Sequence, residues 1–145
     1  VNTIASNDQL DPQVAALDNG QFAVVWTDAS TSGDDPSFTA VRMQVFSSTG
    51  AKSGGEVLVA TTKVFEQQNP VITTLKDYRF VVAWEDDRGN TGLEDVYAQR
   101  VSPAGTPVWT ANGVSVSSAA RHGDLGCFSR YPVRLEKSSG PLLFA

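Results

Sequence analysis

The sequence predicts an all-β fold made of repeated four-stranded antiparallel units, and three observations lead to this prediction. Two stretches of the chain match each other at a constant offset of 58 positions, which is the signature of a repeat architecture. Short apolar or alternating segments are separated by turn signals rich in Gly, Asn and Asp. No segment shows apolar residues at the 3.6-residue spacing of an amphipathic helix.

The repeat is carried by residues that are too distinctive to coincide by chance. The matching pairs are Val1/Val59, Gln9/Gln67, Pro12/Pro70, Leu17/Leu75, Phe22/Phe80, Trp26/Trp84 and Asp28/Asp86. The first copy then has a longer loop, Ala29–Ser37, after which Val41–Ser47 matches Val96–Ser102. We therefore divide the chain, as a single repeat domain, into repeat one at 1–58, repeat two at 59–116 and a partial third repeat at 117–145.

Each copy is predicted to form four short strands. The ranges are Val14–Leu17 or Val71–Leu75, Phe22–Thr27 or Phe80–Glu85, Thr39–Phe46 or Val96–Val101, and Val57–Thr61 or Val114–Ser117. In the second strand both faces are apolar, which is typical of a strand that is covered on both sides. Trp26 and Trp84 are therefore expected to pack between neighbouring sheets rather than to bind a ligand.

Four strands in 58 residues are better described as a β-propeller blade than as part of a sandwich, which shows no such internal copying. We expect about two and a half blades, with Val1–Ile4 as the last strand of a preceding blade. A blade needs a neighbour on each face. The chain is thus interpreted as a fragment whose ring is completed by the remainder of a larger parent chain or by further copies, as a homo-oligomer.

Two motifs carry a resemblance to a known kind of repeat. They are Asp11-Pro12 or Asn69-Pro70 followed by Phe-x-Val-x-Trp-x-Asp, and Val96-Tyr97-Ala98-Gln99-Arg100. The pattern resembles the propeller-type repeats of large secreted bacterial surface proteins that accompany hemolysin-type calcium-binding and adhesin-like regions. The resemblance covers about residues 1–116 and implies export and a surface role, with little about the ligand. The first copy departs from it at Phe38–Met43.

Composition excludes two classes of partner. The net charge is −5 and no Lys/Arg stripe is present, which argues against nucleic acid. No apolar run approaches the roughly 20 residues that a membrane-spanning helix needs. Cys127 is the only cysteine, so an internal disulfide is excluded.

The loops after the second strands are the candidate metal sites. Asp28, Asp34 and Asp35 follow the strand in the first copy, and Asp86, Asp87 and Asp95 follow it in the second. Such carboxylates suit Ca²⁺, which takes six to eight oxygen ligands. The alternative is that Asp28 and Asp86 cap turns while the others are solvated. No other cofactor is expected.

Nothing in the sequence forms a recognisable catalytic set. His122, Asp124 and Cys127 share one loop, whereas a nucleophilic pair is normally held by separate elements, so we interpret them as incidental. Trp109 lies outside the strand alternation and is the candidate ligand-binding residue. Arg100 is expected to pair with a carboxylate of the next blade.

These observations favour a non-catalytic extracellular module that binds a glycan or protein, or that acts as a scaffold. One alternative is a fragment of a propeller-fold glycan hydrolase, although the first strands carry no inward Asp or Glu. The other is a structural unit that completes a propeller by self-assembly.

Overall fold

The computed structural model describes residues 3, 6–31, 38–89 and 92–117, which form eight β-strands and no helix. The strands are β1 (Gln9–Ala16), β2 (Phe22–Asp28), β3 (Ala40–Phe46), β4 (Lys52–Leu58), β5 (Gln67–Thr74), β6 (Phe80–Asp86), β7 (Asp95–Val101) and β8 (Val114–Ser117). They form two antiparallel sheets with the orders β1-β2-β3-β4 and β5-β6-β7-β8. The predicted all-β fold of four-stranded antiparallel units is therefore confirmed.

The first two strands of each sheet repeat at the offset of 58 that the sequence shows. β5 and β6 start at Gln67 and Phe80, 58 positions after Gln9 and Phe22, which start β1 and β2. The fourth strand of the first sheet was predicted too late in the chain, at Val57–Thr61. It begins at Lys52 because Lys52 pairs with Phe46 directly after a tight turn. Within the described ranges, no helix is long and apolar enough to cross a bilayer.

A bulge at the Asx-Pro pair lengthens the first strand of each sheet beyond its prediction. The register shifts between Leu10 and Gln13 in the first sheet, and at the matching place in the second. Asp11 and Asn69 have φ values of 50° and 52°, in the left-handed region that Asp and Asn tolerate. The following proline has no N–H to donate, which a bulge accommodates. β1 therefore pairs on both sides of the bulge and starts at Gln9.

We call the face of each sheet that carries Phe22 or Phe80 its front, and the opposite face its back. The back of the first sheet packs on the front of the second. The first sheet contributes Ala15, Ala23, Val25, Val41, Met43 and Val45, and the second contributes Ile72, Phe80, Val82, Trp84, Tyr97 and Val101. Backbone bonds add to this contact, since Gln67 N donates to Thr39 O at 3.1 Å.

The two tryptophans consequently have different surroundings. Trp84 is fully buried in the core between the sheets, as predicted. Trp26 is also buried, at 3% exposure, but it lies on the front of the first sheet, which points away from the second. Only the second copy of the Phe–Trp pattern therefore contributes to the contact between the sheets.

Candidate functional site

The connections β2–β3, β4–β5 and β6–β7 all leave the sheets at one edge, which we call the loop edge. This follows from the pairing, because Asp28 at the end of β2 lies opposite Gln9 and Ala40, which start β1 and β3. Asp86 lies in the same way opposite Gln67 and Asp95 in the second sheet. The loop edge therefore gathers most of the acidic residues that the sequence singled out.

Asp28 is 3% exposed and its carboxylate is saturated by donors from three elements. Gln9 Nε2 donates at 2.7 Å, Ser30 N at 3.0 Å, Ser30 Oγ at 2.9 Å and Arg42 Nε at 2.6 Å. Burial works to raise the pKa of Asp28, but these hydrogen bonds outweigh it and hold the pKa below its usual value. The group is therefore a buried carboxylate anion fixed by an arginine.

Asp86 has an equivalent arrangement with a different arginine. Its Oδ1 accepts from Arg88 N and Arg88 Nε, both at 2.9 Å. Its Oδ2 accepts from Arg88 Nη2 at 2.6 Å and from Trp84 Nε1 at 2.9 Å. The guanidinium carbon of Arg88 lies 3.5 Å from the centroid of the Tyr97 ring, which is cation–π distance. The same carboxylate therefore also anchors the buried indole of the core.

The source of the guanidinium differs because the two copies differ on their third strands. Arg42 on β3 lies opposite Trp26, and Tyr97 on β7 lies opposite Trp84, so the two residues occupy equivalent positions. Where the second sheet has a tyrosine, Arg88 from the β6–β7 loop provides the positive charge instead. Each sheet thus keeps an Asp–Arg pair with a buried carboxylate at the end of its second strand.

The calcium prediction concerns residues inside and outside the described ranges. Asp34 and Asp35 lie outside the described residues, and so do His122, Asp124 and Cys127. Asp28 and Asp86 each accept the amide N–H of the residue two positions later, as the turn-capping alternative expects. In the described ranges, no group of three or more His, Cys, Asp or Glu is placed to hold a metal ion. Calcium binding by these loops stays a prediction.

Two further acidic candidates lie beside Asp86 at the loop edge. Asp87 is half-buried and its amide N–H donates to Glu66 O at 3.0 Å, joining the β4–β5 loop to the end of β6. Asp95 is also half-buried and begins β7 directly opposite Asp86. The structure therefore brings Asp86, Asp87 and Asp95 to one edge, with Asp86 turned to Arg88.

Trp109 lies on the connection between β7 and β8, outside the loops of the loop edge. Its amide N–H donates to Gln99 Oε1 at 3.0 Å, and Gln99 Nε2 donates to Thr110 O at 2.8 Å. Gln99 is fully buried, so a fixed side chain holds the backbone on both sides of the indole. Trp109 as a whole residue is 39% exposed to solvent.

Arg100 is predicted to pair with a carboxylate of the next blade, but within the described residues it pairs inside its own sheet. Its Nη2 binds Asp77 Oδ2 in the β5–β6 turn of its own sheet, and Arg79 Nη1 binds the same oxygen at 2.9 Å. Slight desolvation works against ionisation, but the two arginines outweigh it and lower the pKa of Asp77. Arg100 reaches Asp77 because it lies opposite Val81, close to that turn.

Sequence reasoning missed an exposed aromatic pair at the loop edge. Phe38 and Phe65 stack with ring centroids 6.4 Å apart, and Phe38 is 57% exposed. Both have positive φ values, 46° and 60°, which are unusual for bulky residues. The available signal was an apolar residue at the end of each β2–β3-type loop, Phe38 in the first copy and Leu93 in the second.

Comparison with known proteins adds no relative. No protein-family model, no curated protein and no solved structure matches the chain.

Proposed function

We propose that this chain is a non-catalytic scaffolding module of a secreted or cell-surface protein, built from propeller-type blades that present ligand-binding loops. The observation that carries the proposal is the stacking of two copies of one repeat through opposite faces. In a propeller each blade presents its front to one neighbour and its back to the other. A front-to-back contact between equivalent sheets is the relation that such an architecture requires.

The use of the buried carboxylates supports a structural role rather than catalysis. Asp28 and Asp86 are held by arginines, and Glu85 Oε2 accepts from Asn69 Nδ2 at 2.5 Å at the bulge. A glycan hydrolase needs a pair of carboxyl groups that face the substrate, one of them with a raised pKa. Asp28 has the opposite shift, a lowered pKa in which hydrogen bonds outweigh burial. This argues against the hydrolase alternative for the described part of the chain.

Partly exposed aromatic side chains support a ligand-binding role for the module. Trp109 is held by Gln99 through its backbone and is 39% exposed as a residue, which suits stacking on a sugar ring or packing on a protein. The stacked pair Phe38 and Phe65 offers a second apolar surface at the loop edge. We propose a glycan or a protein as the ligand, with Trp109 as its contact residue.

A glycan array followed by a product assay on the same glycans tests the proposal. We expect each retained glycan to be recovered intact by mass spectrometry, and its retention to be lost in Trp109→Ala. Tyr78→Ala is the matched control, because Tyr78 is a similarly exposed aromatic residue, 48% exposed, on the turn between β5 and β6. Release of a shortened glycan that disappears in Glu85→Gln would instead favour the hydrolase alternative.

A further inference from the structure

We infer that the two outward faces of the stack form a docking surface for a second copy of this chain, front of one copy on back of the other. The inference deepens the proposed scaffolding role and rests on its front-to-back stacking. Inside the chain, the first sheet uses its back and the second sheet uses its front. The front of the first sheet and the back of the second sheet therefore point outward. A second copy is the expected occupant, because it presents the same front and back surfaces that already pack on each other between the two sheets.

The outward front belongs to the first sheet. Its residues occupy the positions that form the core contact in the second sheet: Val14 for Ile72, Phe22 for Phe80, Val24 for Val82, Trp26 for Trp84 and Phe46 for Val101. Phe22 and Phe46 stack with centroids 4.9 Å apart, and Val14 is 66% exposed. Apolar side chains therefore occupy this face although the second sheet lies on the other side.

The outward back belongs to the second sheet and matches the inner back of the first. The equivalent positions in the two sheets are Thr73 and Ala15, Val81 and Ala23, Ala83 and Val25, Val96 and Val41, and Ala98 and Met43. Val114, which pairs with Ala98, is 38% exposed. Apart from Thr73 these side chains are apolar, as are those that receive Phe80 and Trp84 inside the chain. Val96 and Ala98 are buried within the chain, at 8% and 6% exposure, and Arg100 occupies the position of Val45, so the open part of this face lies on β5, β6 and β8.

The open part of the outward front is the half formed by β1 and β2. On the β4 half, Thr3 N and Thr3 Oγ1 both donate to Glu56 Oε2 at 2.8 Å, and Trp26 and Phe46 are buried within the chain. Val14, Phe22 and Val24 stay exposed or half-buried. We therefore expect a second copy to seat on β1 and β2, with Val14 near the centre of the contact.

The predicted contact is heterologous, because it joins two different surfaces of the same molecule. Such contacts close into rings or continue as open arrays, and they are blocked by changing either surface. An isologous contact of front on front would depend on the front alone. Blocking the two surfaces separately distinguishes these geometries.

The test is light scattering after size exclusion of the full chain at tens of micromolar, with one variant for each surface. Val14→Asp blocks the front and Val114→Asp blocks the back, and both positions are partly or largely exposed, so folding should tolerate them. Val64→Asp, at a 48% exposed valine on the β4–β5 loop, is the matched control. Circular dichroism melting verifies that each variant is folded. If Val114→Asp fails to fold, Val108→Asp replaces it, since Val108 is 43% exposed and lies beside β7, where its N–H donates to Arg100 O.

We expect the wild type and Val64→Asp to form the same oligomer, and each blocked variant alone to be monomeric, with a dissociation constant raised at least about tenfold. An equimolar mixture of the two blocked variants should form a one-to-one dimer, since one keeps its front and the other its back. A monomeric wild type would overturn the inference. This is the result expected if the chain itself covers both outward faces. An oligomer that Val114→Asp leaves intact would also overturn it. Neither result depends on the glycan assay above.

Discussion

Arg88 lies over Tyr97, with its guanidinium carbon 3.5 Å from the ring centroid, and Tyr97 occupies the position that Arg42 holds in the first sheet. The loop arginine therefore replaces the strand arginine as partner of the aspartate that ends the second strand. That both copies keep the pair by different routes indicates that a buried carboxylate at this position requires a cation. Burying a charge without one costs several kcal/mol.

Removing the arginine in the first sheet should be strongly destabilising. Arg42→Met leaves the Asp28 carboxylate at 3% exposure without its guanidinium, which we expect to lower the free energy of unfolding by about 3–5 kcal/mol. Urea unfolding monitored by tryptophan fluorescence measures this loss. Asp28→Asn in the Arg42→Met background should recover part of it, because the uncompensated charge is then absent.

Arg79→Met is the control for that experiment. Arg79 pairs with Asp77 at 2.9 Å, but the two side chains are 39% and 43% exposed. Exposed pairs contribute about 0–1 kcal/mol, so the variant should unfold close to the wild type. Equal losses in Arg42→Met and Arg79→Met would contradict the importance of burial.

The lowered pKa of Asp28 predicts a specific pH dependence. The folded pKa lies below the unfolded value of about 3.9, so the stabilisation is complete above that value and is lost as the pH falls through the folded pKa. We expect the unfolding free energy to fall more steeply below about pH 4 in the wild type than in Asp28→Asn. Urea titrations between neutral and strongly acidic pH measure both slopes, and parallel slopes would contradict the prediction.

The sequence predicted the strands well where apolar alternation and turn residues agree. Phe22 and Phe80 start strands where expected, because a turn precedes each of them. The extension of β1 to Gln9 depends on the left-handed backbone at Asp11. The early start of β4 depends on the Phe46–Lys52 pairing. Both follow from backbone geometry, which apolar patterning does not encode.

The site was predictable only as far as the repeated aspartates. Asp28 and Asp86 align in the two copies, so the sequence marked them as important. Their partners did not align, because Arg42 matches Tyr97 and Arg88 lies in a loop of different length. Aligning the two copies therefore did not reveal the ion pair, because its arginine lies on β3 in the first sheet and in the β6–β7 loop in the second.

The contact between the sheets should make them unfold as one unit. Trp84→Ala removes a fully buried indole at the centre of the shared core, and we expect a loss of about 3–5 kcal/mol. Far-ultraviolet circular dichroism and the fluorescence of the remaining tryptophans should report one coincident urea transition. Two separated transitions in the wild type would show that the sheets are independent.

Calcium binding at the loop edge is tested by thermal unfolding with calcium, magnesium or chelator. A bound ion present at 100 times its dissociation constant adds about 2.7 kcal/mol to stability, which is a measurable rise in Tm. The prediction requires that calcium raises the Tm of the wild type, and that this increase is smaller in Asp34→Asn and in Asp87→Asn. An unchanged Tm at millimolar calcium would refute it. Asp18→Asn, on the turn between β1 and β2, is the control for loss of one carboxylate.

Gly113 and Gly50 separate two costs that a glycine substitution incurs. Both have a positive φ, 72° and 83°, so an alanine at either position meets the left-handed penalty of about 1–2 kcal/mol. A Cβ at Gly50 meets nothing within 4 Å. A Cβ at Gly113 would lie 2.6 Å from Trp84 Cη2 and 2.7 Å from Ala98 O, so the core indole or β7 must move.

Gly113→Ala should therefore cost more than Gly50→Ala by the amount of the overpacking, about 1–3 kcal/mol. The difference in urea midpoint between the two variants measures it, since the backbone penalty is common to both. Quenching or shifting of the tryptophan emission in folded Gly113→Ala should accompany the loss, because the atom that is displaced belongs to Trp84. Equal midpoints for the two variants would mean that Trp84 does not pack against this turn.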